Sequence, residues 1–298
     1  MVDVSQNVKT VTPPELDGIR GGFTLSPTKR FLALADVWGI YVFEISTGKL
    51  ERIANLGYSP IWSSDEKWII FHSQENGVHP IDQVYAINLE NKKIYVPDRV
   101  AHNIPTYSWS PTNTSIVFEA NIKEGINYST DQTGIYTYDI TREKGDFVLK
   151  DSDLSYFNPN ISPNGKYILY EEHTHLHKGT KLILAKLTPQ VNTIKVLYTG
   201  KPFYWNPIWS EDSKRFMTNG YGDSDILIFD YLGNQVDEIM MKEWVIQDMT
   251  WGENGIIYIL RFPDEYSPYS TFSQIVEINL RTKHEKVLYE SKNAIYLP

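Results

Sequence analysis

Asn158-Pro159-Asn160-Ile161-Ser162-Pro163-Asn164-Gly165-Lys166-Tyr167-Ile168-Leu169-Tyr170 reads as a short strand, a turn centred on a serine, and a second, apolar strand. Asn164-Gly165 supplies residues that tolerate a positive φ, the chemistry of a tight hairpin. Outward from this stretch the same phrase returns five times. It stands as Phe23-Thr-Leu-Ser26-Pro, Ile61-Trp-Ser63-Ser-Asp, Ser108-Trp-Ser110-Pro, Ile208-Trp-Ser210-Glu-Asp and Thr250-Trp-Gly252-Glu-Asn-Gly. The turn positions 26, 63, 110, 162, 210 and 252 are spaced by 37 to 52 residues. A self-similar unit of that length, rich in β-formers, is a propeller blade and not a pair of solenoid helices.

Each unit parses into four strands. The third strand of a unit alternates with period two, as in Tyr41-Val-Phe43-Glu-Ile45, whereas the second is more uniformly apolar, as an inner strand packed on both faces should be. No helical period persists for three turns. The fold class expected is all-β: a single six-bladed β-propeller domain over 1–298, four antiparallel strands per blade. The expected blades cover 19–57, 58–101, 102–154, 155–200, 201–244 and 245–291. Val8–Val11 or Asn293–Leu297 is expected to add an edge strand that helps close the ring.

The phrase apolar-x-Trp-Ser-Pro/Asp-x-Gly/Asp-Lys followed by an apolar run resembles the TolB-like, WD-like propeller repeat. Ser59-Pro-Ile-Trp-Ser-Ser-Asp-Glu-Lys-Trp-Ile-Ile-Phe71 and Asn206-Pro-Ile-Trp-Ser-Glu-Asp-Ser-Lys-Arg-Phe-Met217 carry the likeness best, beside Asn158–Tyr170. The likeness runs from about residue 19 to 290. The Trp is replaced by Leu25 and Ile161, and the turn serine by Gly252. The resemblance implies a scaffold found in periplasmic and extracellular proteins and as a module of peptidases.

Composition narrows the function. The 298 residues carry 28 basic and 37 acidic side chains, a net charge of −9, with 41% hydrophobic and 13% aromatic residues. An acidic surface argues against nucleic acid or anionic lipid as a partner. The absence of cysteine removes disulfides and thiolate chemistry. No apolar run is long enough to cross a membrane as a helix. Met1–Lys9 has no apolar core of a signal peptide and reads as a polar mature terminus, which favours an extracytoplasmic setting.

A serine that recurs in five of six units is a turn-capping hydroxyl, not a nucleophile, which needs a strained elbow with His and Asp brought to it. The tryptophans 62, 109, 209 and 251 are expected between blades. Length varies most in the connections between second and third strands, which emerge on one face, and insertions biased to one face build a binding surface. Tyr266, Tyr269 and Phe272 of the sixth unit, with Tyr128, Tyr221 and Trp38 in equivalent connections, are the candidate partner-binding aromatics. Four residues before each turn position stand Gly22, Ser59, Thr106, Asn158, Asn206 and Asp248, a set expected to ring the channel mouth and to accept water or a small polar ligand.

His173-Thr-His175-Leu-His177 places three imidazoles on one side of an extended chain. Residues two apart on a strand are nearly 7 Å apart, wide for three ligands on one ion, so an exposed polar loop is preferred and no metal or other cofactor is assigned. Oligogalacturonate lyases, also propellers, hold a metal through histidines, but their ligand pattern does not match here residue by residue. Asp223-Ser-Asp225 lacks the flanking ligands of a calcium loop. Glu171-Glu172 and Asp264-Glu265 read as loop carboxylates with no acid/base partner, and no phosphate loop or dinucleotide fingerprint is present. The leading expectation is a monomeric, non-enzymatic scaffold that binds a protein or peptide through the loop-rich face. The alternative is a metal-dependent lyase or hydrolase acting on a carbohydrate near the channel mouth.

Overall fold

Apolar residues alternating along short strands, punctuated by Ser-centred turns, give six four-stranded sheets in the computed structural model. The structure describes residues 23–36, 39–55, 57–74, 82–97, 106–122, 133–174, 179–188, 190–200, 207–219, 225–263 and 273–291. The first blade is β1 (Phe23–Leu25), β2 (Phe31–Asp36), β3 (Gly39–Glu44) and β4 (Leu50–Ala54). The second is β5 (Tyr58–Trp62), β6 (Trp68–Gln74), β7 (Asp82–Asn88) and β8 (Ile94–Tyr95). The third is β9 (Tyr107–Trp109), β10 (Ser115–Asn121), β11 (Thr133–Asp139) and β12 (Lys144–Leu149). The fourth is β13 (Leu154–Ile161), β14 (Tyr167–Thr174), β15 (Thr180–Thr188) and β16 (Gln190–Gly200). The fifth is β17 (Ile208–Trp209), β18 (Arg215–Asn219), β19 (Asp225–Asp230) and β20 (Gln235–Met240). The sixth is β21 (Trp244–Trp251), β22 (Ile256–Pro263), β23 (Ser273–Asn279) and β24 (Glu285–Ser291).

Every sheet is an antiparallel meander in chain order, so the chain is a six-bladed β-propeller. The one helical feature among the described residues is a single 3₁₀ turn at Glu253–Gly255. Among the described residues, no helix is long and apolar enough to cross a membrane. The terminal segments expected to close the ring lie outside the described residues.

The turn serines act as hinges of hydrogen bonding. Ser63, Ser162 and Ser210 each accept the backbone N–H five residues on, at 3.0 Å, and donate to the carboxylate or amide oxygen two residues on. Ser26 and Ser110 accept the same N–H at 3.2 and 3.0 Å. The sixth blade has Gly252 here and a turn one residue shorter, its N–H pairing with the carbonyl of Ile256.

The cores lie between blades. Val117 and Ile135 of the third blade pack with Tyr156, Ile168 and Tyr170 of the fourth. Leu169 and Leu184, on the opposite face of the fourth blade, pack with Trp209, Phe216 and Phe229 of the fifth. Each tryptophan of the repeat also clamps its seam through the indole N–H. Trp62 donates to the carbonyl of Thr24, Trp109 to Ile61 and Trp209 to Asn160, each at 3.2 Å, and Trp251 donates to Ile208 at 2.9 Å. Each acceptor is the first-strand residue two before the preceding blade's turn serine.

Candidate functional site

The second strands are less apolar than their sequence pattern suggests. Nine residues past the turn serine, where each strand approaches the loop-rich face, stand Ala35, His72, Glu119, Glu171 and Asn219, all buried. The shorter turn of the sixth blade puts Leu260 at this place and turns Arg261 to the other face of its sheet. Four consecutive blades therefore aim a polar side chain at the next blade, one layer out from the channel-lining first strand.

The first strands meet these groups with a kink. Ser59 and Asn158 adopt φ of 50° and 51°, at register shifts between Tyr58 and Ile61 and between Phe157 and Asn160. A bulge of this kind re-aims the side chain and frees its backbone groups from the ladder. In the sixth blade the register shifts between Ile246 and Asp248. Ser59 and Thr106 are exposed and Asn158 is half-buried. Gly22 and Asn206 lie outside the described residues.

Asn158 joins two carboxylates. Its backbone N–H donates to Oε1 of Glu119 at 2.6 Å, and its side-chain Nδ2 donates to Oε1 of Glu171 at 2.7 Å. The Thr106 hydroxyl adds a second bond to Oε1 of Glu119, at 2.7 Å. Burial pushes Glu119 up to about 7, against these hydrogen bonds, and the Glu171 charge pushes the same way. On the same edge, Nε2 of His173 donates to Oε2 of Glu171 at 2.8 Å, and the imidazole meets the Phe157 ring edge-on at 4.7 Å. One blade earlier, the Tyr107 hydroxyl donates to the carbonyl of Ser59 at 2.5 Å and so accepts from Nδ1 of His72 at 3.0 Å. Burial depresses His72 to about 4, so the ring is neutral at pH 7.

Two readings of the sequence are corrected here. Glu171 and Glu172 are not loop residues: β14 continues through both, and Glu171 is buried with Asn158 and His173 as partners while Glu172 pairs with Lys181 at 2.5 Å. His173 likewise belongs to a strand and is buried, not part of an exposed loop. His175 and His177 lie outside the described residues. Among the described residues, no three His, Asp or Glu side chains gather as a metal-ligand set. Asp225 begins β19, and Asp223, Asp264 and Glu265 lie outside the described residues. So do all six candidate recognition aromatics, Tyr266, Tyr269, Phe272, Tyr128, Tyr221 and Trp38.

A second polar feature sits between the fifth and sixth blades. Arg261, buried, lies over the Trp244 ring at 4.0 Å and donates to Gln274 and Glu285. With Met240, Met241, Lys242 and Glu243 these residues line a cavity of about 360 Å³. Its two cations and two carboxylates leave the lining without net charge.

No protein-family model matches the sequence, and no curated protein matches it. In fold, the chain is similar to oligogalacturonate lyase from Vibrio parahaemolyticus (TM-score 0.65, 13% identity, 93% of this chain and 80% of that one). It is similar to a putative TolB from Agrobacterium tumefaciens (TM-score 0.56, 15% identity, 84% and 87%). It is also similar to TolB from Acinetobacter baumannii (TM-score 0.53, 17% identity), where it matches 72% of this chain and spans about half, 52%, of that one. At these identities the likeness is one of fold, and the fold is that of a TolB-like six-bladed propeller.

Proposed function

We propose that this propeller is a non-enzymatic scaffold that binds a protein or peptide partner through its loop-rich face, outside the cytoplasm and as a monomer. The observation that carries the reading is the asymmetry between the two faces. On one face the hairpins are tight: 26–30, 63–67, 140–143, 231–234 and 280–284 join consecutive strands. On the other, strands are joined by 75–81, 122–132, 175–179 and 264–272, and blades by 96–106 and 201–207. Extra chain concentrated on one face of a rigid repeat body is the way such bodies present a recognition surface. Tyr266, Tyr269, Phe272 and Tyr128 fall in these connections, Tyr221 and Trp38 in the shorter ones 220–224 and 37–38, and all six are the anchors assigned to it. The mouth residues Ser59, Thr106, Asn158, Asn206 and Asp248 offer polar groups to a small ligand at the channel.

The buried pair Glu171–His173 favours a second reading, a metal-dependent lyase or hydrolase acting on a carbohydrate. A carboxylate holding an imidazole in place is the arrangement of a general base or of a ligand with its orienting group. The two readings part on metal content. Protein purified without a His tag should contain no stoichiometric manganese, zinc or iron by elemental analysis. One equivalent of metal, lost in His173→Ala with the fold intact, would transfer the assignment to the second reading.

A further inference from the structure

Glu119 is held through one of its two oxygens. The Thr106 hydroxyl and the Asn158 N–H both donate to Oε1, at 2.7 and 2.6 Å, and the Thr106 N–H adds a weaker pull on the same carboxyl. Oε2 accepts no hydrogen bond from a described residue, although the side chain is only 4% exposed. Among the described residues, the polar side-chain atoms sealed from solvent without a partner are the Ser108 and Thr180 hydroxyls. Oε2 of Glu119 is not one of them, so the small surface that this residue keeps includes its free oxygen. A buried carboxyl fixed at one oxygen and open to the channel at the other is built as a ligand anchor.

The groups around it turn their donors inward and leave acceptors outward. Asn158 gives its N–H to Glu119 and its Nδ2 to Glu171, so the amide oxygen Oδ1 is left over, without a partner among the described residues. Thr106, exposed beside β9, has its hydroxyl proton on Glu119, and its oxygen is left to accept. The Ser108 hydroxyl, two residues further along the chain, is sealed away from the mouth. Oε1 of Glu119 lies 2.7 Å from the Thr106 hydroxyl and 2.6 Å from the Asn158 nitrogen. Oε2 of Glu119, Oγ1 of Thr106 and Oδ1 of Asn158 therefore share one corner of the channel mouth.

The field in that corner is negative. Glu171 stands behind Asn158, and its charge acts on Glu119 in the same direction as burial. No basic side chain is bonded to Glu119. His72, at the preceding seam, is neutral at pH 7, His173 is bonded to Glu171, and Lys181 is paired with Glu172. Three acceptor oxygens under a negative field match a group that carries three N–H donors, no acceptor and a positive charge. A calcium ion asks for about six to eight oxygens, which this corner does not supply, and a lone hydroxyl would bring one donor and leave the charge unmatched. We propose that Glu119, Thr106 and Asn158 form an ammonium-binding site at the channel mouth, filled by the lysine side chain of a peptide partner or by a free alkylamine. The peptide source rests on the recognition role proposed above for the loop-rich face; the site itself does not.

The test is titration of the protein with butylammonium and with a capped lysine tripeptide, followed by NMR at the Asn158 backbone amide. It is made at about pH 8, where Glu119 is ionised. Both amines should shift that amide saturably, whereas butanol and the norleucine tripeptide, which lack the nitrogen, should not. Glu119→Gln should weaken both amines by about tenfold or more, the usual worth of a hydrogen bond to a charged group. Thr106→Val, at an exposed position, should weaken them by about threefold or more and decides the matter should the Gln variant not fold. Tighter binding of the tripeptide names the peptide as the source, and equal or tighter binding of butylammonium names the free amine. No saturable shift with either amine, unchanged affinity in the variants, or saturation by calcium or magnesium in place of the amines would overturn the site. Amine binding is read without a partner, so a loop-rich face that captures nothing would leave this result standing, and an unoccupied mouth would leave capture standing.

Discussion

Trp209 donates its indole N–H to the carbonyl of Asn160 at 3.2 Å, crossing from the fifth blade to the innermost strand of the fourth. The same ring packs with Phe216 behind it and stacks with Tyr167 of the fourth blade, at centroid distances of 5.0 and 6.0 Å. One side chain thus fills the seam and satisfies a first-strand carbonyl that faces away from its own ladder. Tryptophan suits this place because it combines a large apolar ring with a hydrogen-bond donor at its edge.

Trp209→Ala should therefore cost about 3–5 kcal/mol of stability, combining a large cavity with a stranded carbonyl. Trp209→Phe keeps most of the volume and loses the donor, and should cost about 1–2 kcal/mol. Denaturant unfolding of the two variants separates packing from the hydrogen bond.

Ser162→Ala and Ser210→Ala should each destabilise by about 1–3 kcal/mol, since the backbone N–H of Tyr167 or Arg215 loses its partner. Binding of a partner, measured on the folded fraction, should be unchanged. A loss of function without loss of stability would give the serine a role beyond the turn.

The fold was legible because its determinants are local and repeated six times: a turn serine, a seam aromatic, an alternating third strand. The polar site was not. Its members sit singly at the ends of otherwise apolar strands, where the apolar pattern gives out. The sequence pattern ends the fourth blade's second strand before Glu171 for this reason, although β14 runs on through Thr174. The signal was present in register: counting nine residues from Ser63, Ser110, Ser162 and Ser210 lands on His72, Glu119, Glu171 and Asn219. What no counting reveals is that Asn158 bridges Glu119 and Glu171, because that depends on a bulge whose positive φ is set by the folded blade.

That bulge can be tested by itself. Asn158→Gly keeps the left-handed backbone and the N–H bonded to Glu119, and loses only the amide bond to Glu171. Asn158→Ala loses the same bond and adds backbone strain at a φ of 51°. The Ala variant should be the less stable of the two by about 1 kcal/mol in equilibrium unfolding.

His72 sets an acid limb to stability. Its folded value, about 4, lies below the ordinary 6.5 because burial disfavours the charged ring. The unfolded chain takes up a proton at this site first, so the stability it contributes is present above pH 6.5 and is lost as pH falls towards 4. His72→Gln, which does not titrate, should flatten the stability profile between pH 6.5 and 4. A profile identical to the wild type in that window would show that His72 does not carry it.

The central claim, recognition through the loop-rich face, is tested most directly by comparing what immobilised wild type and the Tyr266→Ser/Tyr269→Ser/Phe272→Ser variant retain from extract of the source cell. Lys92→Ala, which breaks the exposed Lys92–Glu51 ion pair on the opposite face, serves as the control. Buried aromatic anchors carry about 2 kcal/mol or more each, so the triple variant should lose its partner outright while keeping the wild-type unfolding midpoint. The expected result is one polypeptide held in stoichiometric amount by wild type and by Lys92→Ala, and absent from the triple variant. The same polypeptide held equally by all three would contradict recognition through those loops, and so would the absence of any stoichiometric polypeptide on the wild type.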